Sequence, residues 1–229
     1  MNDRQKELLK IIVEEYIKTA EPVGSKLLVE KYGLDFSPAT VRNDMAELEA
    51  ENLITQPHTS AGRVPTEAGY RCYIENHVDL KSELTESKKD KIFAKGEVVK
   101  DEKNKNDEKI KTLAKVLAEE SGLATFVVLD ENNVFYTGLT NIFSQPEFHD
   151  LNLIYDMSRV LDHLSEVMDE IYPEIGEEVE IKIGLENHLA KDCAAVMVRV
   201  GDTVLGMVGP MRMNYKQNIS LMNFIKSII

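Results

Sequence analysis

Apolar residues recur at helical spacing from the start of the chain. Leu8, Leu9, Ile12, Val13, Tyr16 and Ile17 form one stripe between Asp3 and Thr19, which predicts an amphipathic helix that buries that face. Glu21-Pro22-Val23-Gly24 interrupts it, Ser25 is placed to cap a second helix reaching about Tyr32, and Gly33 ends that helix. A third helix starts at Ser37, a good N-cap, with Pro38 in the first helical position, where its missing N–H costs nothing. Val41, Met45 and Leu48 give this helix one packing face, so Ala39, Thr40, Arg42 and Asn43 point elsewhere. Leu53 to Gln56 then reads as a short strand and His58 to Arg63 as a hairpin tip, before Thr66 caps a helix carrying Tyr70, Tyr73, Ile74 and His77. Helices followed by a small hairpin predict a winged helix-turn-helix.

From Leu80 to about Asn106 the pattern turns polar, with only Ile92, Phe93, Val98 and Val99 as an apolar island, and predicts a linker or an exposed helix. A new stripe, Ile110, Leu113, Val116 and Leu117, marks a helix over Asp107 to Glu120. Segments rich in β-branched residues follow at Ala124–Leu129, Val134–Thr137, Val179–Ile183, Ala194–Val200 and Thr203–Val208, with turn residues at Glu131-Asn132-Asn133 and Gly201-Asp202. Helical periodicity returns over Phe148–Ile171 and Tyr215–Ile229. The predicted class is α+β: a winged-helix domain over residues 1–80, a charged linker over 81–106, and an antiparallel sheet with flanking helices over 107–229.

The third helix carries the candidate chemistry. Its first turn brings amide hydrogens and a partial positive charge towards a phosphate, and the hydroxyls of Ser37 and Thr40 add donors. Arg42 can present a fork to guanine O6 and N7, and Asn43 can pair with adenine or hold a phosphate. On an isolated amphipathic helix these two would be an ordinary solvated face; the hairpin beside them turns the reading towards DNA. Arg63, placed at the wing tip, is a candidate for the minor groove, and Arg71 on the following helix for a phosphate. The candidate DNA-contacting set is Ser25, Lys26, Ser37, Ala39, Thr40, Arg42, Asn43, His58, Thr59, Ser60, Arg63 and Arg71.

Net charge complicates that reading, because the chain stands at −13. Residues 1 to 80 hold 9 Lys and Arg against 14 Asp and Glu, so no basic domain exists and binding must rest on a local patch. Few phosphate contacts per subunit imply a need for two linked subunits. At 229 residues with 43% hydrophobic composition the chain can fill two small cores. No apolar run is long enough to span a bilayer and the N-terminus leads into an amphipathic helix, so the expected location is the cytoplasm, with no membrane partner. Cys72 and Cys193 are isolated, and reduced thiols are expected.

The stretch from Arg4 to Ile74 resembles the DNA-binding domain of the heat-inducible transcription repressor family HrcA. EPVGS at Glu21–Ser25, SPATVRNDM at Ser37–Met45 and QPHTSAGRVPT at Gln56–Thr66 carry the likeness. Near the C-terminus, IGLEN at Ile183–Asn187 and GPMRMNY at Gly209–Tyr215 resemble two further family signatures, with Met211 and Asn214 standing where the family usually has Thr and Asp. The resemblance implies a GAF-like fold for the second domain and a homodimer bound to an inverted-repeat operator of chaperone genes. It also implies dependence on a GroEL-type chaperonin and release on heat stress. Longer members carry an inserted dimerising region in the second domain that this chain lacks.

Catalysis is not expected. His58, His77, His149, His163 and His188 have no partner at metal or triad spacing; His188 with Asp192 and Cys193 is the nearest to a cluster and reads as a surface loop. No cofactor and no metal are expected. Arg212, flanked by Met211 and Met213, is expected to make a structural ion pair with an acidic loop. Two other functions fit the same pattern: a metabolic regulator holding a small-molecule effector in the second domain, and an enzyme or pure interaction module whose winged helix binds protein.

Overall fold

A computed structural model of the chain describes residues 1–96, 105–130, 133–162, 166, 172–184, 187 and 192–229. Several expectations lie outside the described residues: the Glu131-Asn132 turn, Val98 and Val99, most of the helix beyond Asp162 with His163, Leu185-Glu186 of the IGLEN stretch, and His188. The chain divides into two compact units, Met1–Val78 and Asp79–Ile229.

The first unit runs α1 (Asp3–Thr19), α2 (Ser25–Tyr32), α3 (Pro38–Ala50), β1 (Ile54–Thr55), β2 (Val64–Pro65) and α4 (Glu67–His77). Its core collects the predicted stripes: Leu9, Ile12 and Val13 from α1, Leu28 from α2, Val41, Met45 and Leu48 from α3, Ile54 from β1 and Tyr73 from α4 are all buried. Three of the four helix starts in this unit carry a side-chain cap. Asn2 and Gln5 form a capping box on α1, Ser37 accepts from the Thr40 amide on α3, and Thr66 accepts from the Gly69 amide on α4. At α2 the expectation is corrected: Gly24 is the N-cap, and Ser25 is the first helical residue, with no side-chain cap. Reciprocal backbone bonds between Val23 and Arg63 hold the chain extended just before the helix, which leaves Gly24 as its last extended residue. Gly69 has a packing role, since a methyl group there would sit 1.9 Å from the Leu53 carbonyl oxygen. Only glycine lets α4 come that close to the start of the wing.

The second unit contains α5 (Glu86–Gly96), α6 (Lys105–Ser121), β3 (Ala124–Asp130), β4 (Asn133–Thr137), α7 (Leu139–Phe143), a 3-10 turn (Pro146–His149), α8 (Leu151–Asp162), a second 3-10 turn (Tyr172–Glu174), β5 (Glu180–Ile183), β6 (Cys193–Val200), β7 (Thr203–Pro210) and α9 (Tyr215–Ile228). Its strands form one antiparallel sheet in the order β4-β3-β7-β6-β5. Alternation along the strands sends Phe126, Val128, Ala195, Met197 and Val204 to one face, where Ile142, Phe148, Met157 and Ile175 cover them. The Phe126 ring lies over Gly206, directly opposite in register, where any Cβ would overlap it. Thr125, Val127, Val196 and Met207 alternate to the other face and are buried too; α6 packs on β3 there and α9 on β6. This helix–sheet–helix arrangement is the GAF-like α+β architecture.

Part of the charged stretch read from the sequence as a linker or an exposed helix belongs to this unit. Within α5, Ile92 is fully buried and Phe93 meets Phe224 of α9 edge to face, with ring centroids 5.1 Å apart. Arg212 makes the expected ion pair: its Nε donates to Glu147 at 2.6 Å and its guanidinium also reaches Gln145 at 2.8 Å. Asn214 caps α9 by accepting from the Gln217 amide, a task that Asp or Asn can perform alike. Among the described residues no helix is long and apolar enough to cross a membrane, and no group of three His, Cys, Asp or Glu could hold a metal ion.

Candidate nucleic-acid interface

Helix α3 is held from behind by polar contacts as well as by its apolar stripe. Asp44 lies between the buried Val41 and Leu48 and is itself buried, yet its carboxylate accepts from Arg4 at 2.6 Å. The same Arg4 stacks its guanidinium 5.1 Å from the centroid of Phe36, the residue before the N-cap, so one side chain fixes both the start and the middle of α3. Gln5 bonds Glu47 one turn further on. These contacts fix the rotation of α3, and with it the side that faces solvent. That side carries Ala39, Arg42 and Asn43, all exposed.

Charge is unevenly committed in this unit. Its four arginines are Arg4, Arg42, Arg63 and Arg71. Arg4 is bound to Asp44, Arg63 to Glu49 at 2.9 Å and Arg71 to Glu67 at 2.8 Å, whereas Arg42 meets no carboxylate among the described residues. Lys31 is taken by the buried Glu15 at 2.6 Å, and Tyr32 donates to the same carboxylate at 2.6 Å. Those two hydrogen bonds hold Glu15 below the usual carboxylate range. Burial first, and the Glu15 hydrogen bond second, push the Tyr32 hydroxyl up to about 12.

The other expected contact residues fall into three places. Ser37 and Thr40 sit at the exposed N-terminus of α3, with their hydroxyls 3.0 Å apart. His58, Thr59 and Ser60 form the exposed tip of the wing, where His58 Nδ1 lies 3.2 Å from Ser60 Oγ. Lys26 is exposed on α2 with only a long contact to Glu30 at 3.8 Å. Three residues depart from their expected settings. Ser25 is buried at the start of α2. Arg71 is tied along its own helix to Glu67. Arg63 is at the root of the wing and not its tip, because its backbone pairs with Val23 and its half-buried guanidinium is bound to Glu49. A Cβ on the preceding Gly62 would overlap the Val23 backbone at 2.5 Å, so this root is closely packed.

Sequence reasoning missed Asp44 and Glu49 as partners. The signal was present: both lie on or beside the Val41–Met45–Leu48 stripe, and a carboxylate in an apolar stripe implies a cation opposite. The identity of the cation came from other helices and the wing, which no spacing rule reaches.

Three helices whose third presents an exposed arginine, followed by a two-stranded hairpin, define a winged helix-turn-helix protein, here with a GAF-like second unit. The chain belongs to the HrcA family: a family model described as the HrcA protein C terminal domain matches residues 74–219. A protein of Kineococcus radiotolerans named heat-inducible transcription repressor HrcA is 35% identical over 205 residues, covering 90% of this chain and 54% of that protein. One of the same name from Nocardioides is 58% identical over 87 residues, 38% of this chain and 26% of that relative. The corresponding protein of Desulfitobacterium hafniense aligns over 338 positions at 26% identity, covering 98% and 95% of the two chains. That span exceeds the 229 residues here, so the relative carries segments without a counterpart in this chain. The chain thus spans from about a quarter to nearly all of the length of these curated relatives. A solved structure described as a hypothetical protein shares the fold, with a TM-score of 0.77 at 21% identity over 100% of this chain and 97% of that one.

Proposed function

We propose that the chain is a sequence-specific DNA-binding transcriptional repressor that acts as a homodimer on an inverted-repeat operator of heat-shock chaperone genes and leaves it on heat stress. The observation that carries this reading is the state of Arg42. In a unit whose other arginines are bound to carboxylates, the one with no such partner stands beside Asn43 on the solvent side of α3, one turn from a capped helix N-terminus. Arginine and asparagine are the side chains best shaped for guanine and adenine edges in the major groove. The names of the relatives, heat-inducible transcription repressors, support the class of regulated gene.

Positioning contacts come from Ser37 and Thr40 at the helix N-terminus, Ala39 where the backbone can approach closely, and His58, Thr59 and Ser60 at the wing tip. With so few free cations a single winged helix binds weakly, and a twofold dimer matched to a twofold operator supplies the missing affinity. The chaperonin that the family resemblance implies would act on the supply of folded repressor.

Selection of genomic fragments by the purified full chain tests the proposal. The expected result is recovery of fragments with an inverted repeat upstream of chaperone genes, bound with an affinity that falls as salt rises. A folded chain that retains no duplex at low salt would overturn it.

A further inference from the structure

Glu49 occupies an odd place for a carboxylate. It lies in the last turn of α3, where the helix dipole disfavours negative charge, and it is only about one-third exposed. Its two oxygens face the two sides of the wing. Oε1 accepts from the Gln56 amide, just past β1, at 3.1 Å, and Oε2 accepts from Arg63 Nε, just before β2, at 3.0 Å. The Gln56 side chain then closes the loop by donating to the carbonyls of Thr59 at 3.1 Å and Ala61 at 2.8 Å. Reciprocal backbone bonds join Arg63 to Val23 at 2.8 and 2.9 Å. Recognition helix and both roots of the wing therefore meet at one carboxylate, and the Arg63 backbone ties that junction to the segment before α2.

We propose that Glu49 is a positioning residue of the DNA interface: it clamps the wing to the recognition helix and, in doing so, withdraws Arg63 from phosphate contact. The wing then meets DNA through its polar tip, Thr59 and Ser60 with His58, at a fixed distance from Arg42. This inference rests on the DNA-binding reading above. It opposes the simpler electrostatic view, in which Glu49 masks a phosphate-binding arginine and repels the duplex. A wing held before binding loses less freedom on the complex, which is why the clamp favours affinity despite its negative charge.

The two views differ in sign. Glu49→Ala in the full chain is expected to bind a selected duplex about tenfold more weakly, with the slope of log affinity against log salt unchanged. Arg63→Ala should lose a similar factor with the same unchanged slope, and the double variant should be no worse than either single one, because both break one clamp. Glu49→Gln keeps an acceptor for the Gln56 amide and should recover part of the loss. Tighter binding by Glu49→Ala, or a salt slope lowered by about one in Arg63→Ala, would overturn the proposal. Amide exchange of the DNA-free protein separates this inference from the function. Glu49→Ala should speed exchange at Gln56 and Arg63 while α1 and α3 stay protected, and unchanged protection there would refute the clamp even if no DNA bound at all.

Discussion

In the first unit the buried carboxylates of Glu15 and Asp44 each meet a cation at 2.6 Å, while in the second unit Asn218 and Thr125 are buried as deeply and make no side-chain hydrogen bond among the described residues. Both atoms of the Asn218 amide are in that state, on a helix face whose neighbours Ile219, Met222 and Ile225 are fully buried apolar residues. The contrast follows from what each unit must do. On the proposed function α3 reads base edges and has to be set to within a fraction of an ångström, and directional pairs such as Arg4–Asp44 and Glu49–Arg63 set position in a way that apolar contact does not. The second unit is ordered by two apolar layers on a sheet, which tolerate a polar inclusion at a cost in stability.

The same kind of substitution should therefore act in opposite directions in the two units. Asp44→Leu removes a charge-assisted bond and leaves Arg4 without its partner, and should destabilise residues 1–78 by about 2 kcal/mol. Asn218→Leu replaces an unbonded amide with an apolar group of similar size, and should stabilise residues 79–229 by about 1 kcal/mol. Amide exchange on the full chain reads the two units separately. If both variants destabilise their units, Asn218 has partners that the contrast denies it.

A smaller effect concerns acid. The folded-state pKa of Glu15 lies below its ordinary 4.5 because Lys31 and Tyr32 bond the carboxylate. A depressed carboxylate pKa contributes stability that is present above 4.5 and lost as pH falls through the folded value. The protection of α1 and α2 should decline across that acid range, and Glu15→Gln should flatten this part of the decline. An equal pH dependence in both proteins would mean that another group controls it.

Much of this organisation was legible in the residue pattern. The apolar stripes of α1, α3, α6 and α9, the caps Ser37 and Thr66 and the five β-rich segments are local signals, and each is found within a residue or two of its place. The Arg212 pair with Glu147 was expected as a class of contact, although its partner was not. Elements that the pattern missed, or left open as it did between linker and exposed helix at α5, were short or supported from a distance. Helix α7 has five residues, too few to show a period, and α5 is strongly polar, held by Ile92 and Phe93 alone of its large apolar residues. At the candidate interface the N-terminus of α3 was readable because capping is local. The position of Arg63 was not, because it depends on Val23 and Glu49, which lie 40 and 14 residues away in sequence.

The proposed reading of bases by α3 rests on Arg42, which meets no carboxylate among the described residues. Its most direct test is the binding of Arg42→Ala and the parent chain to a selected operator and to random duplex at one salt concentration. The expected loss is roughly 1 to 3 kcal/mol on the operator with little change on random DNA, so that sequence preference relaxes. An equal loss on both would make Arg42 a phosphate contact, and no loss on either would remove α3 from the role of reader.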